Sequence, residues 1–307
     1  MTAADKRVQF DFEVDFSNGG GIQGQDFRLD IEGDDIADAA LADTIVRDLR
    51  LLMVGAVRIF NKRIITERHK RATAAVPSAS TMAARLVDLS HAIEDGMITY
   101  KGLPAPIVCD HLSREQSRAH YAEGTEFQIG KLTMVANTGT YIDAPYHRYA
   151  DGKDVSGFDL DEVAGLAGVV VRVAGMAGRA IGRETFLPLD VRGKAVLVHT
   201  GWDRYWRTDR YFEGHPFLTA DAAGHLRDAG VRLVGIDSLN VDDTADGRRP
   251  VHTALLGAGI PIVEHLCGLE QLPIDGFRFS AVPVKVKGMG TFPVRAYATL
   301  DAVTAGA

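Results

Sequence analysis

Three short runs of branched aliphatic residues do most to limit what this chain can fold into. Gly168-Val-Val-Val-Arg-Val173 and Lys194-Ala-Val-Leu-Val-His199 are almost continuously apolar, and Val231-Arg-Leu-Val-Gly-Ile236 follows the same pattern. A strand with one wet face alternates polar and apolar residues, so runs like these belong to a sheet covered on both sides. Between the second and third runs, Thr219 to Ala229 carries Ala222, Ala223 and Leu226 at helical spacing and stops at Gly230. His252 to Gly259 predicts another short helix, and Ile260-Pro-Ile-Val-Glu264 a strand. Strand and helix signals in this alternation predict an α/β (α+β) domain on a mixed sheet.

Residues 1–71 read differently. Val8-Gln-Phe10-Asp-Phe12-Glu-Val14-Asp-Phe16 alternates strictly, as does Phe27-Arg-Leu29-Asp-Ile31, and the glycine-rich Asn18–Gly24 joins them as a hairpin. Asp34 or Asp35 is expected to cap a helix to about Met53, with Ile36, Ala40, Ile45, Leu49 and Leu52 on one face. Val57 to Ile65 predicts a third strand, completing a small β-β-α-β module. Gly19, Gly21 and Gly24 fit GxGxxG formally, but a nucleotide fingerprint needs a helix where this chain continues into a strand. Thr73 to Thr81 is small, polar and contains proline, which suits a linker. The expected organisation is an accessory module at 1–71, whose role is read as an assembly surface, a linker at 72–81, and the main domain at 82–307.

Composition excludes several classes of function. The chain has 307 residues, 46% hydrophobic and 24% charged, with net charge −7 and no long basic run. That argues against nucleic acid or an anionic membrane as partner. No stretch nears the length of a transmembrane helix and the first residues lack the apolar core of a signal peptide, so a cytoplasmic protein is expected. Cys109 and Cys267, the two cysteines, are expected to be buried spectators.

The chemistry-bearing residues fall in two segments. Asn137-Thr-Gly-Thr-Tyr141-Ile-Asp143-Ala-Pro-Tyr-His147 reads as a short strand broken at Pro145, with Tyr141 and Asp143 on one face. Downstream, His252 opens a helix after Pro250, and Glu264 closes an otherwise apolar strand. A charged group there needs a partner or an ion. Asp, His and Glu are the residue types from which metal-assisted hydrolases build a water-activating centre. Read without that context, Asp143 could cap the turn before Pro145, and His147 or His252 could be packing residues.

The first segment resembles the HxGTHxDxPxH signature of the bacterial cyclase family, which includes kynurenine formamidase and isatin hydrolase. The likeness runs from about Leu86 to Leu300. It takes in Asp88-Leu-Ser-His91, Asp151-Gly152, Thr200-Gly-Trp202, Val234-Gly-Ile-Asp237, His252 with Glu264, Pro283 to Gly288, and Pro293-Val-Arg295. The resemblance implies a swivelling β/β/α-type fold and a homo-oligomer. It also implies a divalent ion, manganese or zinc, on Asp143, His252 and Glu264, with His147 as proton shuttle. Asn137 and Tyr141 stand where the family has metal-binding histidines. Asn137 is then expected to hold a substrate oxygen, Tyr141 to act as acid or hydrogen-bond donor, and Trp202 to wall the pocket. The function expected is hydrolysis of an amide, lactam or lactone in a small metabolite, with arylformamidase-like activity. Two alternatives stand beside it. The same pocket could work without metal, Asp143, His147 and Tyr141 supporting isomerase, dehydratase or cyclase chemistry, or the chain could bind a small molecule without catalysis.

Overall fold

The computed structural model describes residues 6–17, 19–31, 33–49, 51, 54–66 and 85–300. The expected linker at 72–81, and Leu52 and Met53 of the expected helix, lie outside these. The chain divides into two compact units, Met1–Thr81 and Met82–Ala307.

The first unit contains β1 (Lys6–Phe16), β2 (Gly21–Asp30), α1 (Asp38–Asp48) and β3 (Val54–Thr66), with β1 central in an antiparallel sheet of order β2-β1-β3. Val8, Phe10, Phe12 and Val14 are buried on one face of β1 and pack with Leu41 and Ile45 of α1. Gly24 lies within β2, so the hairpin turn is tighter than the sequence predicts. The helix also starts later: Ala37 is its N-cap, without a side-chain bond, and Leu41 and Ile45 face inward while Ala40 and Leu49 are exposed. The sheet selects which helical stripe it covers, and two turns of overlapping apolar residues left that choice open.

The second unit is built from β4 (Arg85–Asp88), β5 (Ile107–Leu112), α2 (Arg114–Ser117), β6 (Ile129–Thr133), β7 (Tyr141–Asp143), α3 (Leu160–Val163), β8 (Leu166–Arg172), β9 (Ala180–Ile181), β10 (Ala195–His199) and β11 (Phe217–Leu218). It continues with α4 (Ala220–Ala229), β12 (Leu233–Ile236), α5 (Pro250–Gly257), β13 (Ile262–Glu264), β14 (Phe277–Ser280), β15 (Thr291–Pro293) and β16 (Tyr297–Leu300). Nine strands form one mixed sheet of order β15-β7-β13-β12-β10-β8-β14-β16-β4. Its centre, β8, β10, β12 and β13, is parallel, and the outer strands are antiparallel.

The branched aliphatic runs are β8, β10 and β12, and both faces are covered, as their composition requires. Val169, Val171, Val196 and Val198 meet Ala222, Ala223 and Leu226 of α4 and Val251, Leu255 and Leu256 of α5. Val170, Ala195, Leu197 and Leu233 face a second core with Val87, Ile142, Phe279 and Ala298 from strands near both ends of the sheet. The sheet therefore curls, and Ser90 beyond β4 bridges to Leu266 beyond β13. Thr219 caps α4 and Gly230 ends it in the left-handed region at φ 77. The β5–β6 hairpin lies apart from this sheet and exposes Ile107, Val108, Ile129 and Leu132. Cys109 sits on it and is exposed, contrary to the buried position expected from its apolar neighbours; Cys267 is half-buried. No helix among the described residues is long and apolar enough to cross a membrane.

Candidate active site

Strand β7 is three residues long and lies between β13 and β15. The register sets Tyr141 opposite Glu264 and Asp143 opposite Thr291, while Ile142 faces Val263 and Phe292. Directly opposed residues share a face. One face of this ribbon carries Tyr141, Asp143, Glu264 and Thr291, and Ile142 and Val263 on the other enter the core.

The cross-strand pairs are bonded. Tyr141 Oη donates to Glu264 Oε2 at 2.7 Å, and Thr291 Oγ1 donates to Asp143 Oδ1. Glu264 also accepts from Val241 N at 2.8 Å and Asn240 Nδ2 at 3.2 Å. His147, in the single 3-10 turn that follows Pro145, places Nδ1 2.9 Å from the same Thr291 hydroxyl. That hydroxyl has one proton and gives it to the Asp143 carboxylate, so it can only accept from His147. Nδ1 of His147 therefore carries a hydrogen, so in the neutral ring the lone pair is on Nε2.

His252 enters from the first turn of α5. Pro250 has no amide hydrogen, and Asp242 caps the next two: Oδ1 accepts from Val251 N at 2.8 Å and Oδ2 from His252 N at 3.1 Å. Asp242 Oδ2 also lies 2.7 Å from His252 Nδ1, which fixes the ring and turns Nε2 toward the floor of the site. There Nε2 is 3.6 Å from Asp143 Oδ2 and 3.7 Å from Glu264 Oε1.

Asp143, Asp242 and Glu264 are all fully buried around this one imidazole. Burial alone would lower the His252 pKa, but Asp143, Asp242 and Glu264 outweigh it and raise it to about 10. Burial, reinforced by Asp143, lifts Glu264 to about 7 against the pull of His252. Burial pushes the Asp143 carboxyl up, yet His252, His147 and Thr291 hold it below the ordinary range. Burial, with Glu264 and Asp143 nearby, raises the Tyr141 phenol well above its usual value. Tyr141 stays protonated and donates its hydrogen bond to Glu264.

Asp143 Oδ2 is buried without any hydrogen-bond partner. Donor atoms sharing one ion at ordinary bond lengths stand about 3.4 Å apart, close to both spacings from His252 Nε2. Asp143, His147 and His252 also form a group whose ligand atoms lie within 4.8 Å of one another. An orphaned carboxylate oxygen, an aimed imidazole nitrogen and excess buried negative charge together fit a divalent cation.

A pocket of about 440 Å³ opens over this floor, and Asn137, Tyr141, His147, His252 and Glu264 all line it. Asn137 lies beside Tyr141 and opposes part of the rise in the phenol's pKa. Trp202 is not on its wall; the indole packs on Tyr205 and donates to the Tyr211 carbonyl at 3.0 Å. His91 stacks on Trp206 with ring centres 4.0 Å apart and also does not line the pocket. Asp237 accepts from the Thr200 amide and hydroxyl and the Gly201 amide, holding the turn after β10. Sequence reasoning missed Asp242, Thr291 and Asn240. Asp242 lay ten residues before His252 in a polar loop, and Thr291 meets Asp143 only through strand pairing.

Comparison with known proteins shows the family and the fold. The family model described as "Putative cyclase" matches residues 87–243. Kynurenine formamidase of Geobacillus thermodenitrificans is 33% identical over 184 residues, 59% of this chain and 84% of that protein. Kynurenine formamidase of Bacillus cereus is 30% identical over 211 residues, 68% of this chain and 95% of that protein. A solved "potential metal-dependent hydrolase with cyclase activity" is 26% identical, with a TM-score of 0.59, and covers 72% of this chain and 99% of its own. Isatin hydrolase A of Labrenzia aggregata shares the fold at a TM-score of 0.62 and 21% identity, over 73% of this chain and 96% of its own. With the matched region running through β4 to β12 and kynurenine formamidases among its relatives, the chain is a hydrolase of the cyclase family.

Proposed function

We propose that this enzyme hydrolyses an amide, lactam or lactone bond in a small metabolite with the help of one divalent cation. The orphaned Asp143 Oδ2, 3.6 Å from His252 Nε2 on a buried floor, carries the reading. Asp143, His252 and Glu264 would hold the ion, and their mainly oxygen donors favour a hard cation such as manganese, with zinc as the other candidate. When bound, the cation supplies Lewis acidity, polarising the carbonyl and making water a better nucleophile near neutral pH.

The remaining work falls to the chain's own groups. His147 Nε2 takes a proton from the attacking water and returns it to the leaving nitrogen or oxygen. Thr291 and Asp143 keep its other nitrogen protonated, so the same lone pair faces the pocket in each turnover. Asp242 orients His252, and Tyr141 with Asn240 and Val241 N orients Glu264. Asn137, which lines the pocket with Tyr141, would hold a substrate oxygen. The exposed apolar residues of β5–β6 support the homo-oligomer as part of this proposal.

The test is metal content by mass spectrometry on protein purified without chelator or affinity metal, with Asp143→Ala alongside. About one manganese or zinc per chain, lost in the variant, is expected. Metal-free protein that ignores added ions would overturn the mechanism and leave Asp143 and His147 to metal-independent chemistry.

A further inference from the structure

The wall of the pocket is charged oppositely to its floor. The buried Glu264 lines the bottom, with Asp143 beneath the lining 3.6 Å from His252, whereas Lys101, Arg148 and Arg249 line the wall. Three cations around one small cavity is a local excess in a chain of net charge −7. Lys101 is partly neutralised by Glu213, 3.6 Å away. Among the described residues the two arginines bond only neutral groups. Arg148 reaches the Thr253 hydroxyl at 3.4 Å and lies over the Tyr149 ring. Arg249 donates Nη1 to the Asp243 carbonyl at 3.1 Å and Nη2 to the Tyr100 hydroxyl at 3.4 Å. Asp246, whose charge Arg249 feels, is itself paired with Arg248 at 2.9 Å.

Arg249 is also held in the left-handed region, at φ 50 and ψ 60. A side-chain-bearing residue persists there only when its surroundings hold it, and such residues cluster at ligand sites. Its carbonyl accepts from Thr253 N in the first turn of α5, its guanidinium is tethered at two points, and most of its N–H donors remain open. The covalent links matter as well. Arg148 follows His147 directly, and Arg249 stands three residues before His252. A ligand gripped by these cations has its other end fixed relative to both groups of the floor. Without the cation the floor carboxylates repel an anion, and the arginines on the wall attract one whether or not the ion is bound.

We propose that Arg148 and Arg249 form an anion subsite, and that the substrate carries a carboxylate on the side away from the bond that is cleaved. This rests on the hydrolase mechanism above for the cleaved bond, but not for the anion. A planar guanidinium matches the two oxygens of a carboxylate. Tyr100 and Leu103 complete the wall beside the arginines and suit a flat apolar body between the two ends of such a molecule.

Binding decides the point without turnover. Benzoate and its neutral near-isostere benzamide are titrated calorimetrically into wild-type protein, R148Q, R249Q and the double variant, with and without bound metal. Benzoate is expected to bind wild type more tightly than benzamide, to weaken with salt, and to lose roughly 10- to 100-fold in the double variant while benzamide does not. R148Q changes an exposed side chain, so it reports on the subsite even if R249Q disturbs the start of α5. Equal binding of the two probes to wild type would overturn the subsite, as would benzoate binding that survives both substitutions and disappears only with the metal. Inorganic phosphate binding more tightly than benzoate at the same arginines would overturn the carboxylate. In a kinetic arm, the kcat/KM advantage of formanilide bearing a ring carboxylate over plain formanilide should collapse in the double variant. Absence of turnover on both would count against the hydrolase mechanism alone, because the calorimetry still reads the subsite.

Discussion

Replacing Thr291 by valine tests whether a hydroxyl orders the protons of the site. Valine keeps the branched shape of this buried side chain and removes only the oxygen that joins Asp143 Oδ1 to His147 Nδ1. Asp143 loses a donor to a buried carboxylate, a bond to a charged group worth about 2 kcal/mol. For a unit of this size, that lowers the melting temperature by roughly 4–8 °C. His147 loses the acceptor that sets its tautomer. If that bond is worth about 1.4 kcal/mol, kcat falls about tenfold. The loss should appear in kcat more than in KM, because Thr291 is not among the residues lining the pocket. Thr291→Ser restores the hydroxyl and should recover most of both quantities. Thermal unfolding and steady-state kinetics on wild type, T291V and T291S make the comparison. Wild-type kcat in a destabilised T291V would refute the tautomer argument, since it would show that the hydroxyl only packs.

Two further outcomes follow from the floor of the site. Asp242→Ala leaves Val251 N–H, His252 N–H and His252 Nδ1 without their buried acceptor, which should cost about 3–5 kcal/mol in urea unfolding and weaken Mn²⁺ binding about 10- to 100-fold; unchanged ion affinity would show that Asp242 does not position His252. In metal-free protein, Glu264 has its pKa raised from 4.5 to about 7 and His252 from 6.5 to about 10. A raised pKa contributes stability that is complete below the unfolded value and is lost as pH rises through the folded one. The Glu264 contribution therefore disappears between about pH 4.5 and 7, and that of His252 from about 6.5 toward 10. A bound cation replaces these protons, so the rise in melting temperature on adding Mn²⁺ should grow steadily from pH 5 to pH 8. A rise that is flat over this range would count against an ion at Asp143, His252 and Glu264.

The sequence by itself determined the sheet. Continuous branched aliphatic runs in β8, β10 and β12 demand cover on both faces, and Thr219 and Gly230 mark the ends of α4 by local capping chemistry alone. It also determined the residue types of the site, because Asp143, His147, His252 and Glu264 lie in short motifs with recognisable spacing. Information of this kind is local and survives in a linear string. Tertiary structure decided what those residues do together. The register of β7 between β13 and β15 sets Tyr141 on Glu264 and brings Thr291 across 148 positions to Asp143. Which stripe of α1 is buried, that Cys109 is exposed, and that Trp202 faces away from the pocket were likewise settled by packing partners distant in sequence. Charge placement belongs to this second kind as well. Arg148 and Arg249 are ordinary polar residues in the string, and they become a pair only where the turn after β7 and the start of α5 meet over one cavity.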